Sequence, residues 1–218
     1  MGSQIRSHSE VIHNTQSGID YAAQADSQLG EVSTNLARLR EIAVEASNGT
    51  LSDSDREALQ DEFGELIEEI DSIASAEGTS GSIALDGSES IQIQAGIDAD
   101  STVSSGTVDV SSSSLGIDSV DLSDSSSASS ALSAIHSAID SVSESRGSLS
   151  SFSRGLSQRQ SSAVRAHESL SASRSLFSSV DVALESAALI GNKLLQAGSI
   201  ASLLQANSGS GAALRLLG

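Results

Sequence analysis

The chain has no cysteine, no proline and no tryptophan. Without cysteine there is no disulfide, no thiol chemistry and no Cys-ligated metal. Without proline no helix need break at one. Aromatics are 2% of the residues, one Tyr and three Phe. Large aromatic side chains normally fill a thick core; here Leu, Ile, Val and Ala must do so. That favours a thin helical bundle over a deep pocket. Bases are scarce as well. Eleven Lys and Arg against 29 Asp and Glu give a net charge of -18, a balance that repels nucleic acid and anionic membranes. No apolar run of signal-peptide type opens the chain. Neither a nucleic-acid partner nor membrane insertion is expected.

What is present is 218 residues, 38% of them hydrophobic, enough for one domain or two small ones. Serine is about a quarter of the chain, a composition that alone suggests disorder. Periodicity argues otherwise. Ala22, Ala25, Leu29, Val32, Leu36, Leu39, Ala43 and Ala46 recur in steps of three and four, a coiled-coil stripe. Ile5, Ile12 and Ile19 extend it backwards, so a helix is predicted over about 4–47. Asn48-Gly49 should stop it, since both tolerate the left-handed conformation of a helix end. Ser52, Asp53, Ser54 and Asp55 offer acceptors to a new helix start. Leu59, Phe63, Leu66, Ile70 and Ile73 then mark a second helix over about 53–76, antiparallel to the first.

Residues 78–124 read as short strands, SIAL, SIQIQ and TVDV, with DGS as a turn. From Ala128 the spacing is seven without a miss: Ile135, Val142, Leu149, Leu156, Ala163, Leu170 and Phe177. This predicts a third long helix over about 126–175, pairing with the first two. A break near Ser178-Ser179 should precede a last helix over about 181–206. Its apolar residues cover more than one face, and its only charges are Asp181, Glu185 and Lys193. A membrane span is the rival reading, but Asn192, Lys193, Gln196 and several Ser interrupt the apolar run. A helix this apolar needs a protein partner.

Reactive constellations are missing. His8 and His13 are five apart, so one helix face does not hold both; His136 and His167 are isolated. Asp53, Asp55 and Glu57 begin like a calcium loop, but Ala58 and Gly64 stand where it needs Gly and Glu. Asn48-Gly49-Thr50 fits a glycosylation acceptor and equally a helix-ending turn. There is no nucleophile elbow, P-loop or dinucleotide fingerprint. No enzyme, cofactor or metal is expected. The fold class read here is mainly α: a long antiparallel coiled-coil-like helical bundle with a small β-hairpin region and a C-terminal apolar helix. Its divisions are 1–77, two antiparallel helices; 78–124, hairpins; 125–177, the third helix; and 178–218, the last.

NLARLREIAVEASNGTLSDSDREALQDEFGELIEEIDSIA at 35–74, SAIDSVSESRGSLSSFSRGL at 137–156 and ESLSASRSLFSSVDVALESAALIGNKLLQAGSIASLLQAN at 168–207 resemble the core segments of bacterial flagellin. Hook-filament junction proteins share the NGTLSDSDR motif but not usually the LLQAGSIASLLQAN ending. The resemblance implies a structural subunit of the flagellar filament, extracellular and exported by the flagellar secretion apparatus without a cleaved signal peptide. A secreted helical binding or adhesion module, or a hook-filament junction protein, is the alternative. Against a full flagellin, this chain looks truncated at the N-terminus, with the variable outer domains reduced to about 78–124. The proline after the AQAN motif is absent, and Ala37 replaces a common Gln.

Partners implied by the resemblance are other flagellin subunits, the flagellin export chaperone and Toll-like receptor 5. The receptor surface would carry Arg38 and Glu62, with Arg40, Glu41, Glu45 and Asn48 beside them; solvated helix ion pairs are the plain alternative. The assembly and chaperone surface would carry Leu194, Leu195, Ile200, Leu203, Leu204, Leu214 and Leu217. In the family the last helix pairs with the N-terminal helix and lines the inner tube, so residues 178–218 would belong to that tube. With that partner segment missing, the chain alone is not expected to build native filaments.

Overall fold

Among the described residues, four helices and one hairpin follow in the order α1 (Gly2–Ala46), α2 (Asp53–Ala74), β1 (Asp86–Gln94), β2 (Thr102–Asp109), α3 (Ser112–Leu115) and α4 (Ser125–Leu217). They come from a computed structural model that describes residues 1–76 and 85–217, without the side chains of Glu89 and 206–217. The chain divides into two compact units, one of residues 6–167, the other of 1–5 and 168–218.

The larger unit is built on the apolar stripe of α1. Ala22, Ala25, Leu29, Val32, Leu36, Leu39, Ala43 and Ala46 are all buried. Nearer the start of α1, the buried positions are Val11, Thr15 and Gly18, while Ile5, Ile12 and Ile19 are only half-buried. The stripe has rotated off the isoleucines. Small residues there let the hairpin come close: a Cβ on Gly18 would lie 2.6 Å from Leu156 Cδ1 and 2.9 Å from Ile93 Cγ1. Thr15 turns its hydroxyl onto the Val11 carbonyl at 2.7 Å, so its burial leaves no donor unpaired.

Contacts along α1 set the helix directions. Arg56 of α2 reaches Ala46, and Glu62 meets Arg38. Ser125 of α4 bonds to Ser47, Arg146 to Asp26 and Gln160 to Gln16. Both α2 and α4 therefore run antiparallel to α1. Phe63, Ile70 and Ala74 of α2, with Ala128, Ile135, Val142, Leu149 and Leu156 of α4, close the core. The seven-residue series of α4 is buried as far as Ala163; Leu170 is half-buried and Phe177 exposed.

Three local expectations are corrected. The first helix does end at Ala46, but neither Asn48 nor Gly49 has a positive φ; among the described residues only Gly87, Gly106 and Gly116 do. The free carbonyls are met otherwise. Arg56 donates to Ala46 O and, at 2.8 Å, to Asn48 O, and Ser125 Oγ donates to Ser47 O at 2.7 Å. With those acceptors satisfied, no left-handed cap is required. Secondly, DGS is not a turn. Asp86, Gly87 and Ser88 lie in β1, where Gly87 has φ 76° and the pairing with β2 shifts register. That is a bulge using glycine's freedom. The hairpin turns at 95–101, closed by Ala95 N–H on Ser101 O at 2.9 Å. The expected strand SIAL falls at 82–85, of which only Leu85 lies within the described residues.

Thirdly, there is no break at Ser178-Ser179; both lie inside α4. With no proline in the chain, only serines marked the expected stop. Ser179 instead bonds back to Ser175 O at 2.9 Å, which satisfies its hydroxyl without leaving the helix. The start of α2 is as read: Ser52 and Asp55 form a reciprocal capping box, filling free donors of the first turn.

Candidate functional site

Two surfaces gather the residues singled out from the sequence, and each lies within one unit. The first is on α1 and α2. Leu36 and Leu39 point into the core, which turns Arg38 outward. Its Nε and Nη2 donate to Glu62 Oε1 at 2.9 and 2.5 Å, and its Nη1 donates to Glu41 Oε2 at 2.9 Å. Glu62 first, then Glu41, raises the Arg38 guanidinium above its usual pKa, so the cation is fixed. Half of the Arg38 side chain remains exposed, with 40% of Glu62 and 69% of Glu41. Pairs this open to water contribute little to stability. Burying Leu36, Leu39, Phe63 or Ile70 is worth about 1.5–3 kcal/mol each. The apolar seam therefore holds α2 to α1, and the charges are held on top of it as a rigid display.

Arg40 and Glu45 are exposed beside this group without joining it. Asn48 caps the loop instead: its Oδ1 accepts from Thr50 N–H at 3.2 Å and from Thr50 Oγ1 at 3.0 Å. Arg56 was missed by sequence reasoning. It is 8% exposed and ties the end of α1 to the start of α2. Beside it Asp124 accepts from Ser126 and Ser127 N–H at 2.7 and 2.8 Å to open α4. Those bonds, with a smaller contribution from Arg56, lower the Asp124 pKa. The available signal was an arginine four residues after a capping serine, next to a helix end whose carbonyls lack partners.

The second surface is on α4 within residues 168–217. Leu194, Leu195, Ile200, Leu203 and Leu204 are between 52% and 72% exposed. Leu176, Phe177, Val180, Val182 and Leu184 continue the exposure. The side chains of Leu214 and Leu217 lie outside the described residues. By length and composition alone α4 carries a stretch apolar enough to cross a membrane, none of it buried. Among the described residues no cluster of His, Cys, Asp and Glu has the arrangement of a metal site.

Comparison with known proteins fits this architecture. Residues 1–90 match the family model described as the bacterial flagellin N-terminal helical region. Phase 1 flagellin of Salmonella naestved is 34% identical over 116 residues, covering 53% of this chain and 23% of that protein. The flagellin of Salmonella budapest gives the same figures. The chain thus spans under a quarter of the length of these relatives. The crystal structure of Bacillus cereus flagellin superposes with a TM-score of 0.62 at 28% identity, over 69% of this chain and 88% of that one. A putative flagellar hook-associated protein from Vibrio parahaemolyticus reaches 0.65 over 79% and 93%, but at 14% identity, which is a likeness of fold alone. Family model, curated relatives and structural neighbour point the same way: the chain is similar to bacterial flagellins, in sequence over about half of its length and in the fold of its helical seam.

Proposed function

We propose that this chain is a self-assembling subunit of the extracellular flagellar filament. The observation that carries this is the uncovered apolar surface of α4 beyond Leu176, on a chain otherwise strongly acidic. Exposed apolar area of this extent is a contact surface, and in a filament-forming family the natural partner is another subunit. In this reading residues 178–218 lie in the inner tube, and 1–77, 78–124 and 125–177 form the coiled-coil core. The chain leaves the cell through the flagellar secretion apparatus, without a cleaved signal peptide. Until assembly, the export chaperone covers Leu194, Leu195, Ile200, Leu203, Leu204, Leu214 and Leu217. The Arg38–Glu62 display, with Arg40, Glu41, Glu45 and Asn48, is the surface read by Toll-like receptor 5.

Sedimentation of the purified chain against concentration tests the assembly reading. Self-association short of a native filament is expected, and Leu195→Ser/Leu203→Ser should abolish it. A chain that stays monomeric but floats with lipid vesicles would overturn it in favour of the membrane span.

A further inference from the structure

Charge in the unit of residues 6–167 is segregated along the chain. α2 carries nine acids and one base, whereas residues 145–167 carry four arginines and no acid. Arg146 is used within the chain, on Asp26 at 2.9 Å. Arg154 and Arg165 are not. Both are exposed and neither has a carboxylate within ion-pair distance among the described residues, although acids outnumber bases 29 to 11. Each guanidinium instead lies back along its own helix on a serine one turn earlier, Arg154 on Ser151 at 3.0 Å and Arg165 on Ser162 at 3.1 Å.

We infer that this arginine face of α4 docks the acidic face of α2 on a second copy of the chain. Arg154 and Arg165 stand eleven residues apart on the side of α4 away from Leu156. At about 100° per residue they are only about 20° apart, and about 16 Å along the axis. Glu57 and Glu68 have the same spacing on the side of α2 away from Phe63, with Asp61 and Glu65 between them. All four acids are free of hydrogen bonds and ion pairs among the described residues. The two faces therefore match in sign and in pitch.

They cannot meet within one chain. Glu57 lies level with the end of α1, near Ala46, and Arg154 beyond Asp26 towards Gln16. At 1.5 Å per residue that is a separation of about 35 Å. Since α2 and α4 run in the same direction, a copy displaced along the bundle by that amount brings Glu57 to Arg154 and Glu68 to Arg165 together. The contact is heterologous, so each copy keeps one unused face and growth is open-ended. The inference rests on the filament reading and names a contact through which neighbouring copies meet.

The absence of cysteine supplies the test. Full-length Asp61→Cys chain is mixed with Gln158→Cys chain under mild oxidation at low salt, and with Ser137→Cys chain as control. The mixed disulfide with Gln158→Cys is expected about fivefold above the control and to fall towards it at about 1 M salt, where charges are screened within ~3 Å. Adding Arg154→Glu/Arg165→Glu to the Gln158→Cys chain removes the excess. Adding Glu57→Arg/Glu68→Arg to the other chain restores it. If the reversed chains fail to fold by circular dichroism, Arg154→Gln/Arg165→Gln should still lose most of the excess. A yield equal to the control, or indifferent to the reversals, overturns the inference. If self-association sensitive to Leu195→Ser/Leu203→Ser persists in that case, the filament reading survives without this contact.

Discussion

Arg38 shows how a single residue is presented. Its neighbours Leu36 and Leu39 are fully buried, so the helix cannot rotate it inward, and Glu62 and Glu41 hold its guanidinium in one orientation. A fixed fork of donors is a good interface anchor. Arg38→Asp leaves the seam untouched and is expected to weaken Toll-like receptor 5 binding by more than about tenfold, with the far-ultraviolet spectrum and melting nearly unchanged. Direct binding is the measurement; equal affinity of the two proteins would count against the proposed surface. Asp26 and Arg146 act differently, joining α1 to α4. The hydrogen bond from Arg146 lowers the Asp26 pKa below its ordinary value, burial opposes this, and the charge of Arg146 adds to it. A depressed carboxylate pKa means stability that is present above the unfolded value and lost as pH falls through the folded one. Asp26→Asn should therefore be less stable than the parent at neutral pH, and the gap should close as pH falls below the ordinary carboxylate range. Urea unfolding at neutral and at acid pH checks this; a gap that widens in acid would contradict it.

At the scale of the elements, the hairpin and α4 seat closely on α1 at Gly18. Gly18 leaves no room for a Cβ between Leu156 and Ile93. Gly18→Val is expected to cost about 1–3 kcal/mol by overpacking, measured by denaturant unfolding. A neutral result would mean that both neighbours swing aside. This seat also shows where sequence reading ended. The helices were legible because Leu29, Leu36 and Val142 repeat with helical periods, and periodicity records a buried face directly. The isoleucine series at 5, 12 and 19 had the same period, yet the face turned to Val11, Thr15 and Gly18, because the hairpin's close approach, a tertiary fact, outweighed side-chain size. The stop after Ala46 was placed correctly for the wrong reason, since Arg56 and Ser125 supply the cap from other elements. The break at Ser178 was inferred from serine alone, and serine in a helix can bond to its own backbone. Of the candidate surface, Arg38 and Glu62 were named through the family resemblance, but their ion pair was not; nor was Arg56, because its partners are carbonyls that a sequence does not display.

On the scale of the whole molecule, charge and apolarity are kept apart. A net charge of -18 keeps free chains soluble. The same chain ends in a helix whose large apolar residues from Leu176 to Leu204 stand in water. The proposed subunit role explains both together, since acidity delays association and the apolar end drives it once partners are in place. Local stability follows packing, so the two units should protect their amides unequally. Hydrogen exchange of the free and the self-associated chain therefore tests the central claim most directly. The expected result is rapid exchange at Leu195 and Leu203 in the free chain, slow exchange at Leu149, and new protection at Leu195 and Leu203 on association. Exchange at Leu203 as slow as at Leu149 in the free monomer, or association that leaves residues 194–204 unprotected, would contradict the account.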